Sequence, residues 1–128
     1  MDLPNVYFYK CDLVDTEQIT RVVGQITDDL GVPTMLVNNA GVVCAKLIHE
    51  MSEEEADRVM QVNALAPMHL TRLLLPGMLL QKYAHIVFVS SVLGFAGLPQ
   101  AATYAASKAV VTSFRDSLRL ELRYRRNV

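Results

Sequence analysis

An α/β fold with a parallel sheet is predicted for this chain by three observations. Short β-branched runs at Val6 to Leu13, Thr34 to Val37 and His85 to Ser90 alternate with helical periodicities, and that rhythm belongs to strand–helix–strand crossovers. Hydrophobic residues reach 52%, slightly above an ordinary soluble domain, as strands buried on both faces require. Gly- and Asn-rich turns follow the second and third apolar runs, at the carboxyl ends where α/β sheets bind ligands.

In chain order, Val6 to Leu13 (VYFYKCDL) reads as a strand ending at Asp12. Asp15 followed by Gln18 has the spacing of a capping box, and Ile19, Val22, Val23, Ile26 and Leu30 then recur on one helix face until Gly31 and Pro33 stop it. The strand Thr34 to Val37 runs into Asn38-Asn39-Ala40-Gly41, a turn that keeps amides available. Ser52 with Glu55 repeats the capping signature and starts a helix through Met60. Asn63 and Pro67 predict an irregularity before an apolar helix continues to about Gln81. After His85 to Ser90 comes a loop with Gly94, Gly97 and Pro99, then a last helix from near Ala102 that buries Val110, Val111, Phe114, Leu118 and Leu122. Arg119, Arg123, Arg125 and Arg126 make a basic end that complements the helix dipole.

Composition excludes several function classes. The formal net charge of -1 gives no reason to expect nucleic acid or an anionic membrane as partner. No run of about 18 apolar residues occurs, so no membrane span is expected, and Leu70 to Leu80, broken by Thr71, Arg72 and Pro76, reads as a core or interface helix. Met1 to Asn5 resemble no signal peptide. Cys11 and Cys44 lack metal spacing and read as reduced thiols, with one disulfide as the alternative. His49, His69 and His85 have no metal spacing either, and Glu53 to Glu55 read as a charged helix start, not as paired catalytic carboxylates.

The chemistry concentrates in Ser91 to Lys108. Tyr104 and Lys108 stand at i and i+4, so they share one helix face. A free phenol has a pKa of about 10, and lowering it to about 7 takes about 4 kcal/mol. An ammonium at about 4 Å supplies roughly that at an effective dielectric of about 20. The pair therefore suits proton exchange with an alcohol or carbonyl oxygen, and Ser91 is placed to hydrogen-bond the same oxygen. No side chain accepts the accompanying hydride, so a nicotinamide cofactor is implied. A bare Tyr-x-x-x-Lys is more often a solvated pair; the order and spacing of four elements together carry the reading.

Asp12, N-N-A-G at Asn38 to Gly41, Asn63, Ser91 and Y-A-A-S-K at Tyr104 to Lys108 occur in an order and spacing similar to the short-chain dehydrogenase/reductase family in its compact, non-extended form. The resemblance implies a partial Rossmann-like doubly wound parallel sheet holding family strands 3 to 5 with their helices, in one incomplete dinucleotide-binding and catalytic domain over residues 1–128. It implies NAD or NADP as cofactor. Tyr104 would be the acid/base, Lys108 would tune it and hold the nicotinamide ribose, Ser91 would orient the substrate oxygen, and Asn63 would anchor the water of a proton relay. Asp12 and Leu13 would flank the adenine, and Asn39, Ala40 and Gly41 would line its ribose.

S-S-V-L-G-F-A-G is similar to the membrane-associated branch acting on retinol, hydroxysteroids and other lipophilic alcohols. For the full-length parent this implies a lipophilic alcohol or carbonyl substrate, a homodimer or tetramer, and a place on the cytoplasmic side, at the endoplasmic reticulum or lipid droplets. Simpler readings stand beside these. Asp12 also serves as a strand-ending turn residue, Asn63 as a partner for backbone groups at a kink, and Asn38 as a tie between neighbouring strands. Ser90 and Ser107 receive no role.

The family's T-G-x-x-x-G-x-G turn for the pyrophosphate is missing: Gly24, Gly31 and Gly41 are isolated. The chain is accordingly expected to be a fragment, a partial gene model or a truncated splice form. Strand 3 pairs only with strand 2 in this topology, so Val6 to Leu13 is left without a natural neighbour. The alternative function is a catalytically inactive remnant that associates through the Leu65 to Leu80 and Val110 to Leu122 helices. The extended, sugar-nucleotide-modifying branch is disfavoured by N-N-A-G and by the short gap from Ser91 to Tyr104.

Overall fold

A computed structural model describes residues 5–123. Met1 to Pro4, and Arg125 and Arg126 of the expected basic end, lie outside the described residues. The elements are α1 (Thr16–Leu30), β1 (Met35–Asn38), α2 (Glu53–Met60), a π-helical turn (Gln61–Leu65), α3 (Ala66–Met78), β2 (His85–Phe88), a 3-10 turn (Val92–Gly94) and α4 (Ala102–Glu121). β1 and β2 pair in parallel, from Met35 opposite His85 to Asn38 opposite Phe88.

The expected caps are present. The Asp15 carboxylate accepts the Gln18 N–H at 2.9 Å. Gln18 Oε1, however, accepts from Asp12 N–H, so its side chain reaches past the cap into the preceding turn. Ser52 and Glu55 form both bonds of a capping box, at 3.2 and 3.0 Å. The irregularity expected at Asn63 and Pro67 is the π turn, in which the Ala66 N–H reaches the Gln61 carbonyl. Pro67 has no N–H to give the Asn63 carbonyl, and its ring would crowd that carbonyl in a regular helix.

Two expectations are corrected. Val6 to Leu13 is not a strand: residues 6–12 carry no ladder, because no described strand stands beside them to fill their N–H and C=O groups. The segment is tied instead by Tyr9, whose hydroxyl donates to Asp29 of α1 at 2.8 Å. That hydrogen bond raises the Tyr9 pKa, with burial and the Asp29 charge adding to it. Nor is the sheet covered on both faces here. Leu36 and Ile86 pack against the core between α1 and α3, and Phe88 meets Phe114 of α4 edge-on at 5.7 Å. Met35, Val37 and Val87 point the other way and are exposed.

The core is Ile19 and Val23 of α1 against Ala66, Leu74 and Met78 of α3, closed by Ala84 before β2. The two cysteines are free and half-buried. α4 buries Val111 and Leu118, whereas Val110, Phe114 and Leu122 are half-buried, and Leu30 at the end of α1 is exposed. Among the described residues no helix is long and apolar enough to cross a membrane. Ile19 is 0% exposed, so Ile19→Ala should lower the unfolding free energy by about 2–5 kcal/mol in urea titration. A loss below about 1 kcal/mol would show that the α1–α3 seam is not the core.

Candidate active site

The carboxyl ends of both strands open into one cleft of about 790 Å³, bounded by the turn after β1, the turn after β2 and the start of α4. Parallel strands deliver their loops to the same end, which is why Asn39 and Gly41 face Ser91 and Tyr104 across it. Four of the residues singled out by sequence pattern thus line one cavity together with Lys108.

Lys108 is 4% exposed. Its Nζ donates to the Val89 carbonyl at 2.9 Å and lies over the Tyr104 ring, 5.8 Å from the centroid. Neither ion pair among the described residues involves it: those are Lys46 with Glu55 and Arg115 with Asp116. A buried ammonium held by one carbonyl and one ring face lacks a full counter-charge. The surroundings of Lys108 therefore favour negative charge or electron-rich oxygens in the cleft beside it.

Ser91 caps the 3-10 turn: its Oγ accepts the Leu93 N–H at 3.2 Å. The hydroxyl proton is left to donate outward. This turn is pressed against α4, because a Cβ on Gly94 would lie 3.0 Å from the Lys108 carbonyl carbon and oxygen and 3.2 Å from Ser90 Oγ. A methyl there would push Ser91 away from Tyr104. Ser90 fastens the same junction, with its Oγ 3.0 Å from Thr112 Oγ1 and 3.3 Å from the Lys108 carbonyl.

Asn63 stands behind the cleft wall at 1% exposure. Its Oδ1 accepts the Val42 N–H at 2.7 Å, and Nδ2 donates to the Val42 carbonyl at 2.8 Å and to Ser107 Oγ at 3.0 Å. Gly41 fits between these groups, since its Cβ would sit 3.5 Å from Asn63 Oδ1 and 3.6 Å from Lys108 Nζ. Lys46, next in the chain to the cleft-lining Ala45, makes bonds of 2.6 and 2.8 Å to Glu55, which hold its pKa up and that of Glu55 down.

Other expected residues lie apart. Ala40 is exposed and does not line the cleft. Asp12 and Leu13 belong to the turn before α1, where Asp12 Oδ1 accepts the Val14 N–H at 3.1 Å and Leu13 packs on the core. Asn38 does not tie strands through its side chain: Nδ2 donates to Thr71 on α3 at 3.5 Å, and the backbone carbonyl takes the Val89 N–H. Ser90, Ser107 and Gly94, to which sequence reading gave no role, hold the site together. The adjacent serines and the small residue beside Lys108 were the signals. No group of three His, Cys, Asp or Glu side chains able to hold a metal is found among the described residues.

The family model for short chain dehydrogenase matches residues 2–128. Dehydrogenase RED3 of Cochliobolus heterostrophus is 39% identical over 127 residues, covering 99% of this chain and 65% of its own length. Human 17-beta-hydroxysteroid dehydrogenase 13 is 35% identical over 114 residues, covering 89% of this chain and 38% of its own. A metagenomic short-chain oxidoreductase solved in complex with NADP superposes with a TM-score of 0.88 at 32% identity, over 93% of this chain and 54% of that one. The chain thus spans between a third and two thirds of the length of these proteins. Matched across its whole length in sequence, and over 93% of it in a Rossmann-like solved structure, the chain belongs to the short-chain dehydrogenase family.

Proposed function

We propose that this chain carries the catalytic centre of an NAD(P)-dependent oxidoreductase that interconverts a lipophilic alcohol and its carbonyl. The observation that carries this reading is the buried Lys108, without an acidic partner among the described residues, beside Tyr104 and Ser91 on the wall of one cleft.

Tyr104 exchanges a proton with the substrate oxygen at its hydroxyl. The Lys108 ammonium at its ring face stabilises negative charge that develops on that oxygen, and desolvation strengthens the effect. Ser91, whose Oγ already accepts from Leu93, donates a hydrogen bond to the same substrate oxygen, keeping its own proton, and fixes that oxygen's position. Asn63 has all its amide groups committed, so its backbone carbonyl is the group left to anchor a relay water, at the point where Pro67 cannot donate.

A bound nicotinamide cofactor supplies the hydride donor or acceptor that side chains cannot provide. Lys108 would hold the ribose next to that ring, while Asn39 and Gly41, on the opposite wall of the cleft, would line the adenosine ribose. Asp12, Leu13 and Ala40 are assigned to the adenosine end. For substrate, Val43, Val92, Leu93 and Leu98 give the cleft an apolar lining suited to a retinoid, steroid or fatty alcohol, and one relative is named for hydroxysteroids.

In the full-length polypeptide that carries this sequence, Tyr104→Phe should cut turnover by about 100-fold or more and leave the circular dichroism spectrum unchanged. Retained activity would sink the assignment. NADPH fluorescence titration of the 128-residue chain should show no saturation in the micromolar range, because it has no glycine-rich turn to take the pyrophosphate. Micromolar binding would show that the Gly41 corner and α4 suffice.

A further inference from the structure

Ser107 is 0% exposed and sits between the two residues of the Tyr-x-x-x-Lys pair without touching the cleft. Its Oγ donates to the Tyr104 carbonyl at 2.7 Å. A serine has one proton, so toward Asn63 it acts as acceptor, and the 3.0 Å contact must come from Asn63 Nδ2. That assignment fixes the orientation of the Asn63 amide, because Oδ1 is then the atom that faces the Val42 N–H. An unbroken run of hydrogen bonds therefore joins the backbone of Tyr104 to the turn after β1, which forms the opposite wall of the cleft.

We propose that Ser107 is a positioning residue that sets the separation between Tyr104 and the Gly41–Val42 turn by fixing the Asn63 amide. Removing its hydroxyl leaves one Asn63 N–H buried without an acceptor, so the amide is held by Val42 alone and its grip on that turn weakens. The kinetic consequence rests on the oxidoreductase reading, whereas the linkage itself does not.

The test uses the full-length polypeptide that carries this sequence, with Ser107→Ala and the near-isosteric Ser107→Cys. Hydrogen exchange is followed at the Val42 amide, with the Val23 amide of α1 as reference, and kcat and KM are measured at saturating cofactor. The alanine variant should speed Val42 exchange by about tenfold relative to Val23, and lower kcat by about tenfold with KM changed by less than about threefold. The cysteine variant should recover part of both.

Unchanged Val42 exchange in a folded alanine variant overturns the proposal. So does equal acceleration at Val42 and Val23 in both variants, which would assign Ser107 to packing alone, and so does an active enzyme whose kcat the alanine leaves intact. Should the unmutated polypeptide show no oxidoreductase activity while Val42 exchange responds as stated, the oxidoreductase reading fails and the linkage stands.

Discussion

The arrangement of the cleft depends on the amide of Asn63, which makes three hydrogen bonds at 1% exposure. Each is worth about 1 kcal/mol net, and each would cost about 1–3 kcal/mol if left buried and unmade. That asymmetry makes the amide an all-or-none clamp. It holds Val42, and hence the turn after β1, against α4, two elements that share no ladder. The π turn is what makes the clamp possible, since an inserted residue turns Asn63 inward at the place where Pro67 prevents regular winding.

The second wall is held by contact rather than by charge. Gly94 and Ser90 bring the turn after β2 onto the backbone of Lys108, and Val89 in the same segment receives the Lys108 ammonium. The lysine thus reports on both walls, through Val89 on one side and the Gly41 corner on the other. A cation so placed is poorly neutralised by its surroundings, which is costly in a resting protein and useful where negative charge develops. The same desolvation serves both.

Local signals in the sequence carried most of this. Both helix starts, the π irregularity and the shared face of Tyr104 and Lys108 were legible because each is decided within a few residues by caps, proline or i, i+4 geometry. The strand expected at Val6 to Leu13 failed for the opposite reason. Its side chains favour an extended backbone, but a strand also needs a partner, and propensity says nothing about partners. Asn38 does tie the two strands, but through its backbone carbonyl to the Val89 N–H, while burial on the covered face aims its side-chain amide at Thr71 of α3.

Ser90 and Ser107 show a further limit of reading by residue type. A serine beside a working residue is common, and only the tertiary fold shows that one meets Thr112 and the other Asn63, a residue 44 positions away. The bare sheet face and the unpaired segment follow the same logic at a larger scale. Met35, Val37 and Val87 have the apolar character of strands covered on both sides, while the helices described all lie on the other face. The composition therefore encodes a more complete burial than these residues achieve among themselves. The clamp at Asn63 needs none of that covering, because every group it joins lies between Val42 and Ser107.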